Sequence, residues 1–194
     1  MIQTEKVIAF FDRLAPGWDA GMVRNEAVIK EILDNAGVSA KKRVLDVACG
    51  TGVLIPDYLS RGVVSVTAID ISPKMIGIVR SKFGSEPVKF VCGDAETMKL
   101  GETFDCIVVY NALPHFCNPE KLVETLAAQL APGGVLSIAH GMSRERINVH
   151  HTGTPEGVSD GLMPAEALAS VMGKYLHVTA VISDDRMYQV CGRA

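Results

Sequence analysis

The chain has 194 residues, of which 48% are hydrophobic and 21% charged, a composition typical of one globular domain that buries a substantial core. Its formal net charge of −3 provides no basic surface for nucleic acid, so no nucleic-acid partner is expected. The five cysteines are scattered and never spaced as Cys-x-x-Cys, which favours reduced thiols and excludes a disulfide framework or a zinc site.

Membrane insertion is also not expected. No apolar run is long enough to span a bilayer, and the first residues carry Glu5 and Lys6 where the core of a signal peptide is apolar. We therefore expect a cytoplasmic protein.

Strand and helix patterns alternate along the chain. Helices are predicted at 28–36, 53–61 and 72–83, from 119 and from 164, and strands at 43–48, 64–70, 88–92, 104–110 and 135–140, followed by a hairpin of 175–182 with 186–192. Ser72 and Asn118 each place a capping side chain before a proline. This alternation predicts an α/β fold with a mainly parallel sheet covered on both faces, in a single domain over 1–194.

The longest stretch without clear periodicity is Gly141–Leu162. It follows the fifth strand, and ligands bind beyond the carboxyl ends of the strands in sheets of this type. We interpret 141–163 as a candidate substrate loop and not as a domain boundary.

The strand over 43–48 contains a carboxylate among apolar residues. Asp46 lies between Leu45 and Val47, and the turn that follows contains Gly50 and Gly52. An ionised side chain in such surroundings is costly unless a cation or a hydrogen-bond donor meets it. Two glycines leave the backbone bare enough to touch a ligand. This spacing suits S-adenosylmethionine, which carries an ammonium and a sulfonium group.

A dinucleotide site is the competing interpretation. Its fingerprint requires a third small residue, but that position is Ile55, which is too bulky for close packing of helix on strand. Asp46 would also repel a pyrophosphate. Both points favour the cationic ligand over a nicotinamide cofactor.

Two further carboxylates follow predicted strands. Asp70 ends the second strand, where it can accept hydrogen bonds from both hydroxyls of a ribose, although it can also cap the next helix. Asp94 follows the third strand and can accept a hydrogen bond from an adenine amino group. Together they predict an adenosine ligand at the carboxyl edge of the sheet.

The motifs, taken together, resemble the class I S-adenosylmethionine-dependent methyltransferases. The resemblance rests on the segments 44–52, 70–75, 93–96, 104–108 and 130–134. It implies a Rossmann-like seven-stranded sheet of order 3-2-1-4-5-7-6 with strand 7 antiparallel. It also implies a set of cofactor contacts: Ala48, Gly50 and Gly52 at the methionine part, Asp70 at the ribose, Ile71 and Met75 at the adenine faces, Asp94 and Ala95 at the adenine edge, and Asn111 near the methyl group.

The N-terminal segment Phe10–Asp19 is similar to the opening of small-molecule methyltransferases, including the quinone C-methylating group. In those enzymes the segment closes over the cofactor. The resemblance therefore implies that 1–21 is a lid with Trp18 as its closing residue; a core role for Trp18 remains open. The chain departs from the quinone enzymes in its shorter length and in its region Gly141–Leu162.

Other members of this class fit less well. Asn111-Ala112-Leu113-Pro114 does not follow the pattern of the enzymes that methylate base amino groups. The end of the fourth strand also lacks the Asp of the metal-dependent catechol type. Nucleic-acid substrates and a magnesium-assisted mechanism are therefore disfavoured, and no metal site is predicted.

We expect four histidines to converge on the mouth of the predicted site. His115 follows the fourth strand, His140 ends the fifth, and His150 and His151 lie in the segment beyond it, whereas His177 belongs to a later strand. We predict His140, His150 and His151 as candidate general bases toward an acidic hydroxyl or thiol. Metal or metalloid binding and simple solvation of the loop histidines remain open.

These features predict methyl transfer from S-adenosylmethionine to a small molecule. The protein would hold the acceptor in line with the methyl group and exclude water. The alternative is a non-catalytic regulatory protein that binds S-adenosylmethionine or S-adenosylhomocysteine. A nicotinamide oxidoreductase ranks third, because of Asp46 and Ile55.

Overall fold

The computed structural model describes residues 1–194 and contains one seven-stranded sheet. Its strands are β1 (Arg43–Val47), β2 (Ser65–Asp70), β3 (Val88–Cys92), β4 (Phe104–Tyr110), β5 (Leu130–His140), β6 (His177–Ser183) and β7 (Tyr188–Arg193). The helices are α1 (Thr4–Leu14), α2 (Glu26–Asn35), α3 (Ile55–Ser60), α4 (Pro73–Phe83), α5 (Pro119–Ala127), α6 (Arg144–His151) and α7 (Ala165–Met172), with two 3-10 helices at Ala15–Gly21 and Leu113–His115.

The strand order is β3-β2-β1-β4-β5-β7-β6, and β7 is antiparallel to both of its neighbours, which confirms the predicted topology. The chain proceeds from β1 to β2 on one side and returns to β4 on the other. The carboxyl ends of β1 and β4 therefore form the switch point at which ligands bind in sheets of this type.

Local capping sets the start of two helices that lead away from this edge. The Ser72 hydroxyl accepts from the Met75 amide at the start of α4, and the Asn118 side chain accepts from the Lys121 amide at the start of α5. In both helices a proline occupies the first position, where its missing N–H has no partner to lose. Both predicted starts are confirmed.

The sheet buries an apolar layer on each face, because alternate strand residues point to opposite sides. Ile107 and Ile138 pack with Leu122 of α5 on one face. Val108 packs with Ile32 of α2 on the other. Both layers hold the carboxyl ends of the central strands in place. No helix is long and apolar enough to cross a membrane.

Part of the segment 141–163 is helical, unlike the predicted loop. Ser143 caps α6 by accepting from the Arg146 amide, and Ile147 is the only buried residue in that helix. Because so few of its residues face the core, α6 has no apolar periodicity to reveal it. Strand β5 also begins earlier than predicted, since Leu130 pairs with Phe104 ahead of a register shift.

Candidate functional site

Asp46 occupies the position that the sequence singled out. Its side chain is 3% exposed, Oδ1 accepts from the Tyr58 hydroxyl at 3.3 Å, and Oδ2 has no hydrogen-bond partner. Burial raises the pKa of Asp46 to about 7, and the nearby charge of Asp70 adds to the shift while the Tyr58 hydrogen bond opposes it. A buried carboxylate oxygen without a partner is costly. The site therefore fits a ligand that brings a cationic donor.

The turn after β1 has small residues at the three positions where its backbone is left-handed. Ala48, Gly50 and Gly52 have φ angles of +54°, +53° and +89°. A Cβ on Gly50 would lie 3.8 Å from the indole nitrogen of Trp18. The Gly50 amide donates to Asp70 Oδ2 at 2.8 Å, which joins the turn to the end of β2. Such a turn lets a ligand approach the main chain closely.

Gly52 has no room for a side chain. A Cβ at this position would come within 2.7 Å of Val79 and 2.9 Å of Ile55, at a φ that L residues rarely adopt. We expect Gly52→Ala to lower the free energy of unfolding by about 2–4 kcal/mol, through backbone strain and overpacking. Denaturant unfolding measures this, with Gly153→Ala as the matched control because nothing lies within 4 Å of a Cβ there. Equal stability of the two variants would contradict the prediction.

Asp70 links two turns. It is 8% exposed, and it accepts from the Gly50 amide through Oδ2 and from the Ser72 amide through Oδ1 at 2.8 Å. Burial raises the pKa of Asp70, while the hydrogen bonds from these amides oppose the shift. Ser72 itself caps α4 through its side chain, while Asp70 joins the start of this helix to the turn after β1. Its carboxylate is held in one orientation with further lone pairs able to accept hydroxyl donors.

The remaining predicted cofactor residues line the same edge. Met75 and Ala95 are buried and Ile71 is half-buried. Asp94 uses Oδ1 to accept from the Glu96 amide at 2.9 Å. Asn111 adopts φ +55°, and its Oδ1 accepts from the Gly141 amide at 2.9 Å. The Asn111 contact ties the end of β4 to the end of β5.

The N-terminal segment lies across this edge. Trp18 is 37% exposed and packs edge-on against Phe11 with ring centroids 5.7 Å apart. The Asp12 carboxylate accepts from the Ser72 hydroxyl at 2.5 Å and from the Lys74 amide at 3.1 Å. These contacts hold α1 against the start of α4.

A second carboxylate holds the 3-10 helix that follows α1. Asp19 accepts from the Thr51 hydroxyl at 2.5 Å and pairs with Lys82 at 2.9 Å. Sequence analysis assigned no role to Asp12 or Asp19. Both lie in the motif Phe10–Asp19, which is the signal that could have found them.

Three ring systems meet beside the N-terminal segment. The ring of His115 lies 4.9 Å from that of Phe11 and 5.1 Å from that of His151. Burial lowers the pKa of His115 to about 4, with a further contribution from His151. His150 is exposed, with its ring 6.0 Å from His151. The structure thus brings His115 and His151 together and leaves His150 at the rim.

His151 has a defined hydrogen-bond partner. Its Nδ1 lies 3.0 Å from the Ser159 hydroxyl, which itself donates to the Asp160 carbonyl. The Ser159 hydroxyl has one proton to donate; when it donates to the Asp160 carbonyl, His151 Nδ1 is the donor to Ser159 and Nε2 carries the lone pair, and this is the tautomer that we assign. Burial lowers the pKa of His151, as does the nearby His150, whereas a hydrogen bond to the Asp160 backbone opposes both. At neutral pH the ring is therefore uncharged and able to accept a proton.

His140 lies deeper than the other histidines. It is 1% exposed, and neither ring nitrogen has a hydrogen-bond partner. Tyr188 is its cross-strand neighbour, with ring centroids 5.9 Å apart and a hydroxyl that is also without a partner. Sequence reasoning missed Tyr188, because only the β5–β7 register brings it to His140.

The family profile and the curated relatives that match this chain are all methyltransferases. The description "Methyltransferase domain" applies to the family profile that matches residues 44–134. Malonyl-[acyl-carrier protein] O-methyltransferase of Acetivibrio thermocellus is 32% identical over 142 residues, which are 72% of this chain and 50% of the relative. Demethylmenaquinone methyltransferase of Renibacterium salmoninarum is 28% identical over 70% of this chain and 58% of the relative. The chain thus spans only about half the length of these curated relatives.

Solved structures share the fold. The complex of DhpI with S-adenosylhomocysteine aligns with a TM-score of 0.75 at 21% identity, over 98% of this chain and 97% of that chain. The [4+2]-cyclase SpnF aligns with a TM-score of 0.72 at 20% identity, over 92% of this chain and 75% of that chain. At these identities the likeness establishes the Rossmann-like fold, and SpnF shows that the fold also serves other chemistry.

Proposed function

The chain belongs to the class I S-adenosylmethionine-dependent methyltransferases, and from this premise we propose that it transfers the methyl group of S-adenosylmethionine to a small-molecule acceptor. The observation that carries the proposal is Asp46, whose buried Oδ2 has no partner beside a turn of bare backbone. A pyrophosphate would meet a like charge at this carboxylate, whereas an ammonium group would satisfy it.

Each part of the cofactor has a candidate partner. We assign Asp46 to the ammonium group and Asp70 to the ribose hydroxyls, because both are buried carboxylates at adjacent strand ends. The other proposed contacts follow the family resemblance: Ala48, Gly50 and Gly52 at the methionine part, Ile71 and Met75 at the adenine faces, Asp94 and Ala95 at its edge, Asn111 near the methyl group, and Trp18 over the cofactor.

The cofactor, when bound, supplies a methyl group already activated by its sulfonium. The chain therefore has to position the acceptor and exclude water. Residues 1–21 serve as the lid of a single domain over 1–194, held by Asp12 at Ser72 and by Asp19 at Thr51. We assign proton removal from a hydroxyl or thiol acceptor to His151, since its Nε2 carries a lone pair beside this lid. The net charge of −3 supports a small acceptor over nucleic acid.

Calorimetry tests the cofactor assignment. We expect S-adenosylmethionine and S-adenosylhomocysteine to bind in the micromolar range and NAD to give no heat. Asp70→Ala should weaken binding by about 1.5–3 kcal/mol, the range for hydrogen bonds to a charged group. Asp34→Ala, which removes a surface carboxylate paired with Lys30 and Arg61, should leave affinity unchanged. Heat from NAD alone would refute the assignment.

A screen of acceptors tests the activity. The protein is incubated with labelled S-adenosylmethionine and panels of phenols, carboxylic acids, thiols and amines, and S-adenosylhomocysteine is measured. Turnover with one class supports methyl transfer. Tight cofactor binding without turnover on any panel would favour the non-catalytic regulatory protein.

A further inference from the structure

Two polar side chains at the end of β5 lack the partners that burial demands. His140 is 1% exposed and Tyr188 is not exposed at all, yet both ring nitrogens of His140 and the hydroxyl of Tyr188 make no hydrogen bond. His140 and Tyr188 are paired in the β5–β7 register, so their side chains point to the same face of the sheet. That face lies beneath α6 and α7.

Burial of these two side chains without hydrogen-bond partners destabilises the folded protein. Each buried polar group without a partner has lost its hydrogen bonds to water and gained none in the protein. The surroundings offer little compensation, because Tyr188 belongs to an apolar cluster that includes Ile147, Leu162 and Leu168. Unsatisfied buried groups are rare in folded proteins, and a ligand or an ordered water that completes the hydrogen bonds is one explanation for them.

The charges around the pair favour an anion. Burial lowers the pKa of His140 to about 3, so the ring is neutral near pH 7 and offers one N–H donor. Burial raises the pKa of Tyr188, which keeps its O–H donor in place. Arg144 opposes that shift and Glu166 adds to it, with the larger effect from Arg144. His140 and Tyr188 thus present two neutral donors, and Arg144, whose Nε donates to the Leu162 carbonyl at 2.8 Å, is close enough to outweigh the effect of Glu166 on Tyr188.

The pair lies next to the proposed reaction centre. His140 precedes Gly141, whose amide donates to Asn111 Oδ1 at 2.9 Å. An acceptor that reaches the pair has to displace α6, which buries only Ile147 and is otherwise tied to the backbone of Leu162 by the side chains of Arg144 and Asn148.

We propose that His140 and Tyr188, with Arg144 beside them, bind an anionic oxygen of the methyl acceptor, either a carboxylate or a phenolate. This inference rests on the proposed function, because it treats the pair as the acceptor side of the same site. His140 then acts as a hydrogen-bond donor that positions the acceptor, and proton removal is left to another group.

Binding of simple anions tests the proposal. Benzoate and 4-nitrophenolate are titrated into the protein with and without saturating S-adenosylhomocysteine, in mildly alkaline buffer, with benzamide as the neutral control. We expect one anion to bind at least about tenfold more tightly than benzamide, as charge-assisted hydrogen bonds require. Which anion binds identifies the acceptor as a carboxylate or a phenolate.

Variants identify the groups responsible. Tyr188→Phe and His140→Leu should each weaken anion binding by about tenfold or more. His140→Asn and His140→Gln keep an N–H near one ring nitrogen or the other, and at least one of them should restore binding to within about threefold. Tyr175→Phe alters an exposed tyrosine and is the control. Loss of binding in both amide variants would overturn the role of His140 as a donor.

Thermal stability separates this role from a structural one. Because the Tyr188 hydroxyl makes no hydrogen bond, Tyr188→Phe should leave Tm unchanged or raise it while anion binding falls. A lowered Tm, or unchanged anion binding in Tyr188→Phe and His140→Leu, would mean that only structural contacts or buried water satisfy these groups, which overturns the proposal.

If S-adenosylhomocysteine binds and no anion does, this inference fails while the proposed function stands. If S-adenosylhomocysteine does not bind, the proposed function fails.

Discussion

Asp46→Asn is expected to weaken S-adenosylhomocysteine binding by about 100-fold or more, because it leaves a ligand ammonium without its buried counter-charge, a change worth about 3 kcal/mol or more. The amide keeps the shape of the side chain and its hydrogen bond from Tyr58. Calorimetry in mildly alkaline buffer measures the loss. Asp105→Asn is the matched control, since this carboxylate pairs with Arg43 at the opposite end of the sheet.

The same substitution should remove a pH dependence. The pKa of Asp46 is about 7, so below that pH the carboxyl is neutral and cannot balance a cation. Affinity of the wild-type protein should therefore fall as the pH drops below about 7, whereas the weak affinity of Asp46→Asn should stay level. A wild-type affinity that is constant between mildly acidic and mildly alkaline pH would contradict the assignment of Asp46.

The free energy of unfolding should also change with pH, in a direction that each pKa shift determines. The folded-state pKa of Asp46 lies above the ordinary value of 3.8, so its contribution is most favourable below about pH 4 and is lost as the pH rises towards 7. His115 and His140 act in the opposite direction, because their lowered pKa values make the folded state lose stability as the pH falls below 6.5. The difference between wild type and Asp46→Asn isolates the first effect.

His151→Ala is expected to lower turnover by about 10²- to 10⁴-fold on a hydroxyl or thiol acceptor while cofactor affinity stays intact. Because burial lowers the pKa of His151 below 6.5, the wild-type rate should rise with pH below that value and then level off. The variant should lack this rise. Pre-ionised acceptors should be much less affected, since they need no base.

Two other histidine variants complete this test. His177→Ala changes an exposed residue of β6 and should leave turnover unchanged. His150→Ala should have a small effect, because its ring is exposed and lies 6.0 Å from that of His151. A large loss of turnover in His150→Ala together with full activity in His151→Ala would show that His150, and not His151, is the general base. Full activity in the double variant would leave catalysis to positioning alone.

Much of the fold could be predicted because its determinants are local. The caps at Ser72 and Asn118 mark the starts of α4 and α5 in the sequence itself. Strands β3 and β4 coincide with the predicted 88–92 and 104–110. The proposed cofactor side of the site has a signal in the sequence for a related reason: a carboxylate within an apolar strand, followed by Gly50 and Gly52, conflicts with its own surroundings and so indicates a ligand.

The proposed acceptor side depends on contacts between distant parts of the chain. Tyr188 meets His140 only through the antiparallel pairing of β7 with β5. Helix α6 has one buried residue and therefore no periodicity that the sequence could display. The contact of His151 with Ser159 and the burial that lowers the pKa of His151 both depend on the packed chain and not on neighbouring residues alone. The sequence by itself determined the strands of the sheet, the helix caps and the proposed cofactor motif, because these follow from short-range chemistry. The tertiary structure decided which histidines are buried and which polar atoms lack hydrogen-bond partners, because burial is a property of the packed chain.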